Sequence, residues 1–121
     1  MKIYKGAYSE YAIAAFVRAA EVGYPSPEKI KRISASRAVR EDLRVVYITF
    51  EELRCAGKVD YVGAVMAIYK PYNFGIRIPG HILHERVVAY SMNHAYGEAS
   101  VYRMLSYARR LFAENRGLSV E

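Results

Sequence analysis

The last part of the chain places the strongest constraint on the fold, because its apolar residues repeat at intervals of three and four. In the run EASVYRMLSYARRLFAENR these residues are Val101, Met104, Leu105, Ala108, Leu111 and Phe112. This spacing aligns them along one side of an α-helix, as a seam that packs against another helix. Gly117 follows as a natural C-terminal cap. The sequence therefore predicts a long C-terminal helix and a protein built by helix packing.

Two more helices are predicted near the N-terminus. Ser9 is a suitable N-cap for a helix over residues 10–22, with Gly23 after its end. This helix is apolar nearly all round, so we expect it to be buried on several sides or to lie between subunits. Ser26 as the cap and Pro27 at the first helical position start the next helix, which we expect to run to Arg44.

In the middle of the chain the sequence does not decide between helix and strand. Residues 45–50, VVYITF, are too few for periodicity to decide, although the capping-box spacing of Thr49 and Glu52 favours a break near Thr49. Residues 71–80 contain two prolines and two glycines and predict a turn or loop. The run HILHERVVAYSMNHAY that follows is expected to be a helix ending at Gly97.

Together these patterns predict a mainly α protein, a compact helical bundle. Residues 1–8 are expected to form a short basic N-terminal arm and residues 9–121 a single helical domain, since 121 residues leave no room for a second domain. The alternative is an α+β winged helix, in which a β-hairpin would lie near residues 61–78. No apolar run reaches the ~18 residues of a membrane span, and Cys55 alone cannot form an internal disulfide.

The charge of the chain favours an anionic partner. Its 18 basic and 12 acidic residues give a net charge of +6, and arginine outnumbers lysine. Guanidinium groups match phosphate oxygens with two hydrogen bonds, so an excess of arginine favours nucleic acid. One basic cluster lies within residues 29–40, where no acidic residue is present, and a second lies on the predicted C-terminal helix. The candidate nucleic-acid-binding residues are Lys29, Lys31, Arg32, Arg37, Arg40, Arg44, Arg103, Arg109, Arg110 and Arg116.

No pattern of catalytic or metal-binding residues is convincing. His81, His84 and Glu85 lie within one helical turn, but their order matches neither arrangement of the zinc hydrolases. On a continuous helix His94 would project away from His84. Phosphate-binding loops, dinucleotide fingerprints and nucleophile elbows are not found in the sequence. We therefore expect no enzyme activity, no cofactor and no metal.

The amino-acid usage is typical of proteins from very hot habitats: Gln is missing, Asn and Thr are scarce, and Tyr occurs twelve times. With this composition, the basic arm, the apolar first helix, the helix that mixes arginines with isoleucines and the helical C-terminal pair, the chain resembles the small major coat proteins of filamentous viruses of hyperthermophilic archaea. The resemblance covers the general character of the whole chain and no diagnostic motif. It implies mostly helical subunits that pair and wrap duplex DNA, held in the A form, within a helical virion.

The resemblance also implies roles for particular segments. The helix over residues 10–22 would pack against neighbouring subunits, and Lys29, Lys31, Arg32, Arg37, Arg40 and Arg44 would face phosphates. The expected partners are double-stranded DNA and a second subunit, either the chain itself or a paralogous coat subunit. The expected location is the virion, assembled in the host cytoplasm.

Three other functions stay open. A winged-helix or helix-turn-helix regulator, located in the cytoplasm, would use the helix over residues 27–44 for recognition and the hairpin as its wing. A helical protein-interaction subunit would carry its basic charge incidentally. An enzyme is the least supported.

Overall fold

The fold is seen in a computed structural model, which describes residues 7–120. Over these residues the chain forms six α-helices and no strand. The helices are α1 (Ala7–Val22), α2 (Pro27–Arg32), α3 (Arg37–Cys55), α4 (Val59–Ile68), α5 (Gly80–His94) and α6 (Glu98–Arg116). The prediction of a helical bundle is confirmed, and the winged-helix alternative is not needed.

The C-terminal helix α6 organises the bundle. It packs against α1, α3, α4 and α5, while α2 packs against α3. The predicted apolar seam of α6 is buried, apart from the half-buried Leu111. Because this seam faces four other helices, α6 holds the bundle together.

Four aromatic rings from different parts of the chain form the centre of the core. The ring of Phe16 on α1 lies 5.9 Å from that of Phe50 on α3 and 5.9 Å from that of Tyr69, which follows α4. It also lies 5.5 Å from the ring of Phe112 on α6. Aromatic pairs at such distances stabilise a fold beyond their buried area. The helix α1 is thus buried within its own bundle on the side of Phe16.

The segment predicted as one helix over residues 27–44 is broken, and that prediction is wrong. Ser26 caps α2 as expected, but the chain is extended at Ile33 and begins α3 only after Ser36. The Oγ atom of Ser36 accepts a hydrogen bond from the backbone N–H of Val39, at 3.2 Å. Serine side chains offer the backbone such partners outside a helix, which is why they favour caps.

Residues 45–50 belong to α3, so the break expected near Thr49 is absent. The hydroxyl of Thr49 donates to the carbonyl of Val45, 2.8 Å away, one helical turn back. The buried residues Val45, Val46, Thr49 and Phe50 face the core from the middle of this helix. Helical packing therefore overrides the preference of β-branched residues for strands.

The hairpin considered near residues 61–78 does not form, because α4 covers residues 59–68. What remains is a tight turn over residues 72–75, in which Tyr72 and Gly75 form a pair of backbone hydrogen bonds. The helix α5 ends at His94 rather than near Gly97, because Ala95 takes a left-handed conformation, and Gly97 instead precedes α6.

The helix α1 begins earlier than predicted. Ala7 and Tyr8, predicted to lie in the N-terminal arm, belong to α1, so Ser9 is not the N-cap of this helix. The rest of that arm, residues 1–6, lies outside the described residues. As predicted, Gly23 and Gly117 follow the ends of α1 and α6, both with positive φ. Gly57 follows the end of α3 in the same conformation.

Candidate nucleic-acid interface

Four of the ten predicted nucleic-acid-binding residues form an exposed basic segment on α2 and the start of α3. We define this basic segment as Lys29, Lys31, Arg32 and Arg37. All four side chains are exposed, and within residues 7–120 none of them forms an ion pair. The cap at Ser26 and Pro27 starts α2, and the break after Arg32 turns the chain into α3. The local fold therefore presents four cations to solvent within nine residues.

Arg40 belongs to the same sequence cluster but has a structural role. Its guanidinium group donates to the carbonyls of Ile30 (3.1 Å), Ile33 (2.6 Å) and Ala35 (3.2 Å). These carbonyls lie at the end of α2 and in the connection to α3, where the helical hydrogen bonds have ended. The five donors of a guanidinium are suited to bridging several acceptors. Arg40 therefore fixes the basic segment in place and has few donors left for a phosphate.

Arg44 is exposed, but its charge is paired. Its Nη2 and Nε atoms lie 2.6 Å and 3.0 Å from the two carboxylate oxygens of Glu41. The hydrogen bond from Arg44 is the main cause that lowers the pKa of Glu41, and Arg37 contributes more weakly in the same direction. Both side chains of the pair are about half exposed, at 56% and 40%, so solvent weakens their attraction. A phosphate would have to compete with Glu41 for this arginine.

The predicted arginines of α6 do not form one surface. Arg103 and Arg116 are thirteen residues apart, which separates them by roughly 20 Å along the helix. The Nη1 atom of Arg109 donates to the hydroxyl of Tyr69, at 2.7 Å, and its Nε atom is buried without a partner. Arg110 pairs with Glu114 at 3.2 Å.

The two arginines near the ends of α6, Arg116 and Arg103, also lie in different surroundings. Arg116 lies 2.9 Å from the carboxylate of Asp42 on α3 and is mostly buried. Arg103 is exposed, and its hydrogen bond is to the neutral hydroxyl of Ser100 at 3.1 Å. Of the α6 set, only Arg103 therefore keeps a solvent-facing charge without an acidic partner in the described part of the chain.

Three further cations bind parts of the fold in ways that the sequence does not indicate. Arg86 on α5 donates to the carbonyls of Ile68, Lys70 and Pro71 and so closes the end of α4. The ammonium group of Lys58 lies 5.2 Å and 5.3 Å from the ring centres of two tyrosines, Tyr61 and Tyr107. The Arg54 guanidinium lies over the ring of Tyr24. No local spacing predicts the contacts of Arg86, which is at least fifteen residues from its acceptors. Tyr61, in contrast, follows Lys58 by only three residues.

The side chains of His84 and His94 form hydrogen bonds with different groups. The Nδ1 atom of His84 lies 3.1 Å from the hydroxyl of Tyr102, and that of His94 lies 3.0 Å from the carbonyl of Tyr90. Among residues 7–120 no group of three or more His, Cys, Asp or Glu side chains is placed to hold a metal ion. The described helices also include none that is long and apolar enough to cross a membrane.

Comparison of the chain with protein-family models, with curated proteins and with solved structures finds no significant match.

Proposed function

We propose that this chain is a structural nucleoprotein that binds duplex DNA without reading its sequence. The observation that carries the proposal is the basic segment, which holds four exposed cations and no acidic partner. Lysine and arginine side chains that contact phosphates bind any DNA sequence, because the backbone carries the same charge everywhere. The net charge of +6 favours the same class of partner.

The proposal extends to assembly. By its resemblance to coat proteins of filamentous archaeal viruses, the chain would be a capsid subunit that pairs with itself or with a paralogous subunit and polymerises along DNA. Its place would then be the virion, after assembly in the host cytoplasm. The resemblance supports this part through composition and the order of the helices alone.

A sequence-specific regulator is supported less well. Without a hairpin at residues 61–78 it would have no wing, and the outward-facing Arg44 of α3 is already paired with Glu41. The remaining feature in its favour is the short connection between α2 and α3.

The binding test measures the affinity for two unrelated duplexes of about 30 base pairs by fluorescence anisotropy, across a salt series. If the four cations of the basic segment contact phosphates, the slope of log K against log salt includes about −0.9 for each of them. We expect each substitution by alanine to reduce the slope by about 1, and both duplexes to bind equally. Lys70→Ala is the matched control for Lys31→Ala, because it removes one exposed positive charge that lies outside the predicted binding residues, between α4 and α5.

Equal losses for Lys70→Ala and Lys31→Ala would show that only net charge matters and would contradict the proposed interface. A strong preference for one duplex would instead favour the regulator. Negative-stain microscopy with long random duplex DNA tests the assembly part: filaments that form on this DNA and dissolve at high salt are expected.

A further inference from the structure

A tight turn between α4 and α5 displays a phenylalanine to solvent. Asn73 and Phe74 both have positive φ, at 50° and 65°, the pattern of a type I′ turn. Asparagine tolerates this conformation, but the second position favours glycine, and here the glycine comes one residue later, at Gly75. The side chain of Phe74 is fully exposed. An aromatic residue in a conformation that disfavours it, with no contact in its own core, suggests a role outside the monomer.

Hydrogen bonds hold the turn from within and from α5. The N–H of Gly75 donates to the carbonyl of Tyr72 at 3.0 Å, and the N–H of Tyr72 donates back at 3.4 Å. Upstream, Arg86 binds the carbonyls of Lys70 and Pro71. A loop whose backbone is already ordered loses little conformational freedom when its side chain binds a partner. Phe74 is therefore presented as a prepared anchor.

A groove lined by both apolar and charged residues lies beside this turn. It runs between α1 and the chain after Gly75 and has a volume of about 650 Å³. Its lining consists of Glu10, Ile13, Ala14, Ile76, Arg77 and Ile78. Phe74 does not line it, but Ile76 does and is only two positions further along the chain, at most about 7 Å away. The turn that carries Phe74 and the groove are thus neighbours on the surface.

The groove carries opposite charges on its two walls. Glu10 projects from α1 and Arg77 from the loop, and the two do not form an ion pair with each other. A second copy turned by a two-fold axis near the loop would bring its Arg77 towards Glu10 of the first copy, and the reverse. This charge complementarity matters because two copies with a net charge of +6 each otherwise repel.

We propose that the groove binds a second copy of this chain, with Phe74 of each copy inserted into the groove of the other. The arrangement is an isologous dimer, in which the same surface serves both partners and the assembly closes on itself. Two phenylalanine rings and the flanking loops bury a small area, so the dimer belongs to the weak class. The inference rests on the self-association included in the proposed function, but not on DNA binding.

The test is sedimentation velocity without DNA, from about 1 μM to about 1 mM, a range suited to a weak dimer. We expect the mass to rise from 13.8 kDa to twice that value and then stop. Phe74→Asn is expected to weaken dimerisation roughly 30-fold or more, as for a central aromatic anchor. Since asparagine accepts a positive φ, this variant keeps the turn and its melting temperature does not fall. Met92→Asn is the matched control: it removes another exposed apolar side chain, on α5, and should leave the dimer intact.

The charges give a second, independent readout. Glu10→Lys and Arg77→Glu should each weaken the dimer, and the two together should restore much of it, because the pair re-forms across the interface with its signs exchanged. A monomer at every concentration, a polymer that keeps growing, or an unaffected Phe74→Asn dimer would each overturn the proposal. So would loss of DNA binding in Phe74→Asn with unchanged dimerisation, since Phe74 would then be a DNA contact. The failure of DNA binding alone would not affect it.

Discussion

Arg116 on α6 and Asp42 on α3 form the least exposed ion pair of the described chain, with Nε and Oδ1 2.9 Å apart and side-chain exposures of 24% and 12%. The hydroxyl of Tyr11 on α1 donates to the same carboxylate oxygen at 2.7 Å. The hydrogen bond to Asp42 is also the main cause that raises the pKa of Arg116. The carboxylate of Asp42 thus connects α3 to α1, near the start of the chain, and to α6, near its end.

Removing this carboxylate should leave a partly buried guanidinium without a counter-charge. We expect Asp42→Ala to lower the free energy of unfolding by roughly 3 kcal/mol, since breaking a buried pair costs more than the pair itself contributes. Glu41→Ala is the control, because the neighbouring Glu41 forms a more exposed pair with Arg44 and should cost less than about 1 kcal/mol. Urea denaturation measures both, and equal losses would contradict the role given to Asp42.

Arg40 provides a second prediction about the fold, because its guanidinium joins the end of α2 to the start of α3. Arg40→Lys keeps the charge but cannot reach three carbonyls, so we expect a loss of about 2 kcal/mol. The same substitution at the exposed Arg37 should change stability by less than about 0.5 kcal/mol. Denaturant unfolding followed by circular dichroism compares the two. A neutral Arg40→Lys would mean that these hydrogen bonds do not hold the connection.

These contacts show which parts of the structure the sequence predicts. The helix α6 is predictable because its seam repeats over about three turns and Gly117 follows the helix, so local periodicity and tertiary packing agree. The break between α2 and α3 is not, because the arginine that satisfies its carbonyls follows them by five to ten residues. The sequence of residues 45–50 does not decide between strand and helix, because the choice depends on the core around Phe50 rather than on the six residues themselves.

The same distinction applies to the candidate site. A spacing of three or four residues from an acidic residue matches the ion pairs of Arg44 and Arg110. The same spacing also relates Arg32 to Glu28 and Arg37 to Glu41, which form no ion pair, so the spacing alone does not decide. The lack of acids over residues 29–40 indicates the basic segment. The partner of Arg116 is 74 residues away, and that of Arg109 is 40 residues away. Only the packing of the helices brings those groups together.

The hydroxyl of Tyr24 should make the stability of the fold depend on pH above pH 10. Burial, and then its hydrogen bond to Glu51, raises the pKa of Tyr24 from 10.0 to about 12. The folded protein therefore holds this proton more tightly than the unfolded chain. The resulting stabilisation is complete below pH 10 and is lost as the pH rises towards 12, because the unfolded state loses its proton first.

We expect Tyr24→Phe to be less stable than the unsubstituted protein at pH 7, by about 1 kcal/mol, because its hydrogen bond is lost. Between pH 10 and 12 its melting temperature should fall less steeply. Calorimetry of both proteins across this range measures the difference, in which the titration of lysines and other tyrosines cancels. If the melting temperatures of the two proteins fell in parallel with pH, Tyr24 would ionise as easily in the folded protein as in the unfolded chain.

Two glycines next to helix ends should respond in opposite ways to the same substitution. Gly57 follows α3 with a φ of 77°, and no atom would contact an added Cβ there. Gly57→Ala should cost about 1 kcal/mol, because an L-residue resists the left-handed conformation. Gly80 begins α5 without a positive φ and also has free space, so Gly80→Ala should stabilise by up to about 1 kcal/mol by restricting the unfolded chain. Thermal unfolding of both variants measures the signs. A loss at both positions would mean that space, rather than backbone conformation, limits them.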